Sequence, residues 1–99
     1  MSEPTSAYRF AVNVTPKPGI LDRQGKAVER SLPHLGLAGV SGVRVGRRVE
    51  LTVAATDEPA ARAIVDRLAG ELLSNPLMEH FEVEPLGEAD SPAVVGVGG

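Results

Sequence analysis

The sequence predicts a two-layer α+β sandwich, in which helices cover one face of an antiparallel sheet. Residues 8–14 alternate between apolar and polar side chains, as a half-buried strand does. Residues 23–35 and 56–73 repeat apolar side chains every three or four positions, as amphipathic helices do. Proline, glycine and asparagine separate these stretches. The predicted order is β-α-β-β-α-β.

The first strand runs from residue 8 to a junction rich in proline and glycine. Pro16 and Pro18 end the strand, because each lacks a backbone donor and fixes φ. Asp22 is predicted to cap the following helix by accepting the free amides of its first turn. Gly25 in that turn costs about 1 kcal/mol relative to alanine, so we expect another backbone to approach it closely.

The first helix is predicted over residues 23–35, with Gly36 as its C-terminal stop. Pro33 falls inside it and removes the hydrogen bond to the carbonyl of Glu29, which should bend the last turn. One side of the helix is apolar and the other is charged. The apolar side consists of Ala27, Val28, Leu32 and Leu35.

Two further strands are predicted over residues 40–45 and 49–55. Gly46 and Arg47 fit a two-residue hairpin between them, with a positive φ at Gly46. Acidic residues and a proline mark the start of the second helix at residues 56–59.

The second helix ends at the sequence Ser74-Asn75-Pro76. A fourth strand is predicted over residues 80–84 and is ended by Pro85. With two right-handed crossovers, this order gives a ferredoxin-like sandwich with both helices on one face. We expect a disordered leader at residues 1–7, one domain at residues 8–85 and a disordered tail at residues 86–99.

Composition limits the possible functions. The chain has 99 residues, a net charge of −3 and no cysteine. The charge argues against a nucleic-acid binder, and the lack of cysteine excludes disulfides, thiol catalysis and sulfur-ligated zinc. No apolar run approaches the roughly 20 residues that span a bilayer. We therefore expect a soluble, cytoplasmic domain.

The sheet face away from the helices is predicted to carry small residues in its middle and charges toward its ends. Such a face often pairs with a second copy, sheet on sheet. A merely solvated face is the alternative. The predicted residues are Arg9, Ala11, Asn13, Arg44, Arg48, Glu50, Thr52 and Ala54.

The sequence contains no recognisable catalytic constellation. His34 and His80 have no metal-ligand or triad spacing. Glu82 and Glu84 share one strand face, where charge typically blocks edge pairing. We expect no catalytic residue, metal ligand or cofactor-binding residue in this chain.

Three segments, in order and at similar spacing, resemble the PurS family, the small subunit of phosphoribosylformylglycinamidine (FGAM) synthase. The resemblance spans residues 8–83. Arg23 replaces a usual proline and Arg47 a usual lysine, and Pro33 interrupts the first helix. The segments are Pro18-Gly19-Ile20-Leu21-Asp22-Arg23-Gln24-Gly25-Lys26-Ala27-Val28, Val43-Arg44-Val45-Gly46-Arg47-Arg48-Val49-Glu50-Leu51 and Leu72-Leu73-Ser74-Asn75-Pro76-Leu77-Met78-Glu79.

The resemblance implies a non-catalytic adaptor in purine biosynthesis. It would bridge a glutaminase subunit and a large synthetase subunit for ammonia transfer, and the synthetase would use ATP and Mg²⁺. It also implies a homodimer or tetramer. The loop residues Lys17, Pro18, Asn75 and Pro76 are candidate partner contacts, whereas Asp22, Gly25 and Gly46 are interpreted as structural.

Two other function classes share the predicted order of elements. A ligand-sensing domain of the ACT type often carries Pro-Gly-x-Leu after its first strand, as residues 18–21 do here. That match leaves residues 22–25 and 74–76 unexplained. An RNA-binding module needs aromatic side chains on the open sheet face. Tyr8 and Phe10 are instead predicted to face the core.

Overall fold

Three antiparallel strands form one sheet in the computed structural model, which describes residues 5–89. The strand order is β2-β1-β3, so the first strand lies in the centre. The elements are β1 (Ser6–Pro16), α1 (Arg23–Ser31) with a 3₁₀ turn (Leu32–Leu35), β2 (Arg47–Ala55), α2 (Glu58–Leu68) with a π-helical turn (Ala69–Leu73), and β3 (Glu79–Glu88).

The alternation of β1 separates the two faces of the sheet as predicted. Phe10, Val12 and Val14 are buried on the helix-facing side. They pack against the small residues of α2, mainly Ala61 and Val65, which let the helix approach the sheet closely. The α+β class and the ferredoxin-like arrangement are confirmed.

The second helix begins where predicted. Asp57 caps it, because its Oδ1 accepts the amide of Ala60 at 2.9 Å. Two i,i+4 ion pairs lie on its exposed side, Arg62 with Asp66 and Arg67 with Glu71. Such pairs contribute only about 0.2–0.5 kcal/mol each, so apolar packing holds this helix on the sheet.

The predicted strand at residues 40–45 is wrong. The amide of Val43 donates to Glu29 Oε2 at 2.9 Å, and the amide of Val45 donates to Asp22 Oδ2 at 2.7 Å. The carboxylates of Asp22, at the start of α1, and Glu29, near its end, therefore accept the backbone amides that would otherwise pair with a neighbouring strand. The hairpin at Gly46–Arg47 is absent for the same reason, and Gly46 does not have a positive φ.

The prediction that both helices cover one face is also wrong, since α2 alone supplies the helical part of the buried core. Gly25 is the one buried residue of α1. The radius of gyration is 18.0 Å, with a longest extent of 61 Å. A compact chain of about 100 residues has a radius near 13 Å. The protein is elongated because α1 and its 3₁₀ turn project away from the sheet.

The end of the first helix follows the expectation for Pro33. The α-helix ends at Ser31 and becomes a 3₁₀ turn that contains Pro33 and closes at Gly36, whose φ is 72°. Pro33 occupies one of the first positions of this turn, where a backbone amide would have no partner within the turn. The missing amide of Pro33 therefore destabilises the protein less there than in the middle of an α-helix.

The ends of the domain differ from the predicted bounds. Ser6 and Ala7 belong to β1 rather than to a leader. Pro85 does not end the last strand, because pairing with β1 shifts by one residue between Arg9 and Phe10 and β3 continues to Glu88. The rest of the predicted leader and tail, residues 1–4 and 90–99, lies outside the described residues. Within residues 5–89 no helix is long and apolar enough to cross a membrane.

Candidate functional site

The three sequence motifs meet at one end of the sheet. The end of β1 lies beside the starts of both neighbouring strands, since Val14 pairs with Arg47 and Pro16 pairs with Glu79. Antiparallel pairing on both sides therefore brings three loops together. We call this region the signature end and define it as residues 16–22, 43–47 and 73–79.

Asp22 connects the first two loops of the signature end. Its Oδ1 accepts the amide of Gly25 at 2.9 Å, and its Oδ2 accepts the amide of Val45 at 2.7 Å. The side chain is buried, with 8% of its surface exposed. The amide of Gly25, and after it that of Val45, lowers the pKa of Asp22 below its ordinary 3.8, because both stabilise the carboxylate.

Two glycines let the loops approach each other. A Cβ at Gly25 would collide with the carbonyl of Val43 and with the Asp22 carboxylate. A Cβ at Gly46 would collide with the carbonyl of Val14 and the side chain of Thr15. Close backbone approach, rather than a turn conformation, is therefore the requirement at Gly46.

Arg47 connects the second loop to the third. Its guanidinium forms two hydrogen bonds with the Glu79 carboxylate, at 2.8 and 2.9 Å, and Nη2 also donates to the Leu73 carbonyl at 2.7 Å. Glu79 Oε1 accepts the amide of Asn75 at 2.8 Å. The Arg47 guanidinium, and then that amide, lower the pKa of Glu79 below its ordinary 4.5.

Arg44 connects the second loop back to the first. Its Nη2 donates to the carbonyls of Pro16 and Lys17, each at 2.8 Å. The amide of Lys17 in turn donates to the carbonyl of Met78 at 2.9 Å. Each loop is thus bonded to the other two. The predicted placement of Arg44 on the open sheet face is wrong, because it precedes β2 and its side chain lies across the loops.

Asn75 shapes the loop before β3. Its Oδ1 accepts the amide of Leu77 at 3.1 Å, and its carbonyl accepts the amides of Met78 at 3.0 Å and Glu79 at 2.7 Å. Such an Asx turn is the usual role of asparagine after a helix. Pro76 is exposed at the tip of this loop. The structure therefore brings the four candidate contact residues, Lys17, Pro18, Asn75 and Pro76, to the same end of the sheet.

The signature end carries an open groove of about 560 Å³ with an apolar rim. Ile20, Val45 and Met78 line it together with the polar groups described above. Leu21, which lines it, is 66% exposed, and Leu77, beside Met78, is 85% exposed. Sequence reasoning missed these leucines as site residues. The available signal was that Leu77 directly follows Pro76 and Leu21 lies two residues after Gly19, and that neither leucine belongs to the apolar stripe of a helix.

The open sheet face is more polar than predicted. Arg48 of β2 donates to Glu50 on the same strand and to Glu84 on β3, each at 2.9 Å, so the second ion pair spans the central strand. Ala11 lies beneath this network and is fully buried. The charges occupy the middle of the face rather than its ends, which disfavours dry pairing of two such sheets.

Several charged side chains of the signature end serve to hold its three loops together. The carboxylates of Asp22 and Glu79 and the guanidinium of Arg47 are all used in bonds between the loops. His34 lies on the 3₁₀ turn and His80 on β3. Among residues 5–89, no three His, Cys, Asp or Glu side chains are grouped as metal ligands. The exposed apolar rim is the part that is left available for contact.

Comparisons with known proteins agree on one family. The PurS family model, described as phosphoribosylformylglycinamidine (FGAM) synthase, matches residues 9–87. The PurS subunit of that synthase from Synechocystis sp. is 40% identical over 88 residues, which cover 87% of this chain and 88% of the relative. The corresponding subunit from Thermotoga maritima is 33% identical over 79 residues, covering 80% of this chain and 96% of the relative.

Solved structures give the same result. The crystal structure of the purS subunit of the synthase from Thermotoga maritima has a TM-score of 0.77 and 31% identity, covering 85% of this chain and 97% of that one. A chain in the structure of PurLQS from the same organism has a TM-score of 0.74 and 32% identity, covering 81% of this chain and 98% of that one.

Gly25→Ala is expected to destabilise the protein by about 2 kcal/mol, although alanine favours helices, because the added methyl group meets the Val43 carbonyl. Gly39→Ala is the matched control, since nothing lies within 4 Å of that position. It should be neutral or slightly stabilising. Urea unfolding measures both; equal midpoints for the two variants would contradict the close approach.

Stability should fall as the pH drops below about 4.5. The pKa values of Asp22, Glu29 and Glu79 are all lowered by hydrogen bonds in the folded protein. Their contribution is complete above the unfolded pKa values and is lost as pH falls through the folded ones. Glu79→Gln should lower the urea midpoint of unfolding at about pH 7. The difference between its midpoint and that of the parent protein should be smaller at about pH 3. A difference that is the same at both pH values would contradict this assignment.

Proposed function

The chain belongs to the PurS family of FGAM synthase subunits, and from that membership we propose that it is the adaptor that holds a glutaminase and an ATP-dependent synthetase together in purine biosynthesis. The observation that carries the proposal is the similarity of this chain to a chain in the structure of PurLQS. Its fold is matched over 98% of its length by this chain. A subunit with the same fold and motifs fits the same place in such an assembly.

The signature end supports docking rather than catalysis as its role. Its charged side chains bond the three loops to each other, so the groove is held in one shape before a partner arrives. Its exposed leucines, Leu21 and Leu77, are suited to burial against another protein. Lys17, Pro18, Asn75 and Pro76 surround the same surface and are the proposed partner contacts.

The contribution of such an adaptor is positional. The glutaminase releases ammonia from glutamine, and the synthetase uses that ammonia with ATP and Mg²⁺ to convert an amide to an amidine. Ammonia released into water at neutral pH becomes ammonium, which is not a nucleophile. Holding the two active sites together raises the effective concentration of ammonia at the synthetase. No group of this chain takes part in either reaction.

The same proposal places the protein in the cytoplasm, as a homodimer or tetramer within the complex. The ACT-type alternative is not favoured, since the PurS match extends through the two later motifs that this alternative leaves unexplained. RNA binding is not favoured either, because Phe10 is fully buried on the helix-facing side of the sheet.

Omitting this chain from a reconstituted mixture of its own synthetase and glutaminase should abolish glutamine-dependent formation of the amidine product. Activity supported by added ammonium chloride should remain, because the synthetase active site is complete without the adaptor. Product formation from each nitrogen source is the measurement. An equal loss of both activities would contradict the adaptor role.

Leu77→Asp should weaken assembly with the partner subunits by about tenfold or more, since it puts a charge on the exposed apolar surface of the signature end. Ala63→Asp is the matched control, because it adds the same charge to an exposed residue on α2. Both proteins should keep the parent melting temperature. Equal affinities in titration calorimetry would rule out the signature end as the docking surface.

A further inference from the structure

The side chain of Arg47 bonds both ends of the loop that carries Leu77. We define this loop as the rim loop, residues 74–78, which joins the π-helical turn to β3. The carbonyl of Leu73, directly before the rim loop, accepts a hydrogen bond from Arg47 Nη2 at 2.7 Å. The carboxylate of Glu79, directly after it, accepts bonds from Nη1 at 2.8 Å and Nη2 at 2.9 Å. One guanidinium therefore closes the rim loop across its two ends.

This arrangement requires the geometry of a guanidinium. Its N–H groups diverge in a fixed planar fork, so it can bond a carboxylate with two nitrogens and still donate to a carbonyl. Leu73 ends a helical turn, and the last carbonyls of a helix lack partners within the helix. A lysine ammonium is a single point of charge and does not reproduce the fork.

Glu79 connects Arg47 to the backbone of the rim loop. Its Oε1 accepts both Nη2 of Arg47, at 2.9 Å, and the amide of Asn75, at 2.8 Å. The carbonyl of Asn75 in turn accepts the amides of Met78 and Glu79. An oriented Glu79 carboxylate therefore fixes the start of the turn that presents Leu77, whose side chain is 85% exposed.

The sheet itself depends little on this side chain. Arg47 is the first residue of β2, and it pairs with Val14 of β1 through its backbone. The Arg47 side chain is 51% exposed, and exposed ion pairs contribute little to overall stability. Loss of the guanidinium should therefore affect the position of the rim loop more than the stability of the sheet.

We propose that Arg47 is a positioning residue of the adaptor, which keeps the rim loop closed in the conformation that a partner subunit binds. This inference rests on the proposed function. When a partner binds one conformation only, its apparent affinity is reduced by the fraction of molecules in that conformation. An open rim loop therefore weakens assembly even if Leu77 and the other exposed residues are unchanged.

Arg47→Met removes the guanidinium and keeps an apolar stem. In the isolated variant, the amides of Asn75, Met78 and Glu79 should exchange with deuterium at close to the rate of an unprotected chain, because the rim loop is open in most molecules. Amides of β1 should change only as far as the free energy of unfolding in urea does. NMR measures the exchange of each amide. Arg62→Met is the matched control, since it removes a guanidinium from an exposed ion pair on α2.

Titration calorimetry with the synthetase and glutaminase subunits completes the test. Arg47→Met should weaken assembly by about tenfold or more, whereas Arg62→Met should bind as the parent protein does. Arg47→Lys, which keeps the charge without the fork, should lie between parent and Arg47→Met in both measurements.

Four results would each overturn the proposal and leave the adaptor role standing. They are parent-like exchange of the rim loop in Arg47→Met, parent-like affinity of that variant, parent-like behaviour of Arg47→Lys in both measurements, and an equal loss of protection in β1. A parent protein that binds neither subunit would overturn the adaptor role together with this proposal.

Discussion

The structure depends most on the buried carboxylate of Asp22. One oxygen caps the first helix and the other accepts the amide of Val45, so a single side chain joins the start of α1 to the segment that leads into β2. Gly25 makes this possible, because any larger residue would occupy the space of the Val43 carbonyl. Removing the charge, the cap or the glycine would therefore affect the direction of α1 as well as its stability.

The antiparallel pairing of β1 with both neighbours is the second constraint. It places three loops that are distant in sequence at one end of the sheet. Arg47 and Arg44 then join them with charge-assisted hydrogen bonds, which are stronger than neutral ones. Most of the charged groups at this end of the sheet are used in such bonds, and the exposed apolar rim is the surface that we propose for a partner.

Local patterns in the sequence predicted local structure well. The alternation in β1, the cap at Asp22, the start of the second helix within residues 56–59 and the stop at Gly36 each depend on residues close in the chain. The strand at residues 40–45 failed because its amides bind carboxylates 14 and 23 residues away, which no local pattern shows. The predicted position of α1 was wrong for a similar reason. An apolar stripe predicts that one side of a helix is buried but not which surface it is buried against. The candidate site was predicted in part, since the motif loops were identified but the exposed leucines Leu21 and Leu77 were not.

The projection of α1 and its 3₁₀ turn away from the sheet has a mechanical consequence for the groove at the start of α1. A nine-residue α-helix followed by a four-residue 3₁₀ turn is about 20 Å long. Asp22 and Leu21 form part of the groove and also lie at the start of this length. Rotation by about 5° at that point displaces the far tip by about 2 Å, by simple leverage. A protein that binds in the groove therefore contacts the point about which α1 rotates. A small change in the orientation of α1 at that point produces a larger displacement at Leu35.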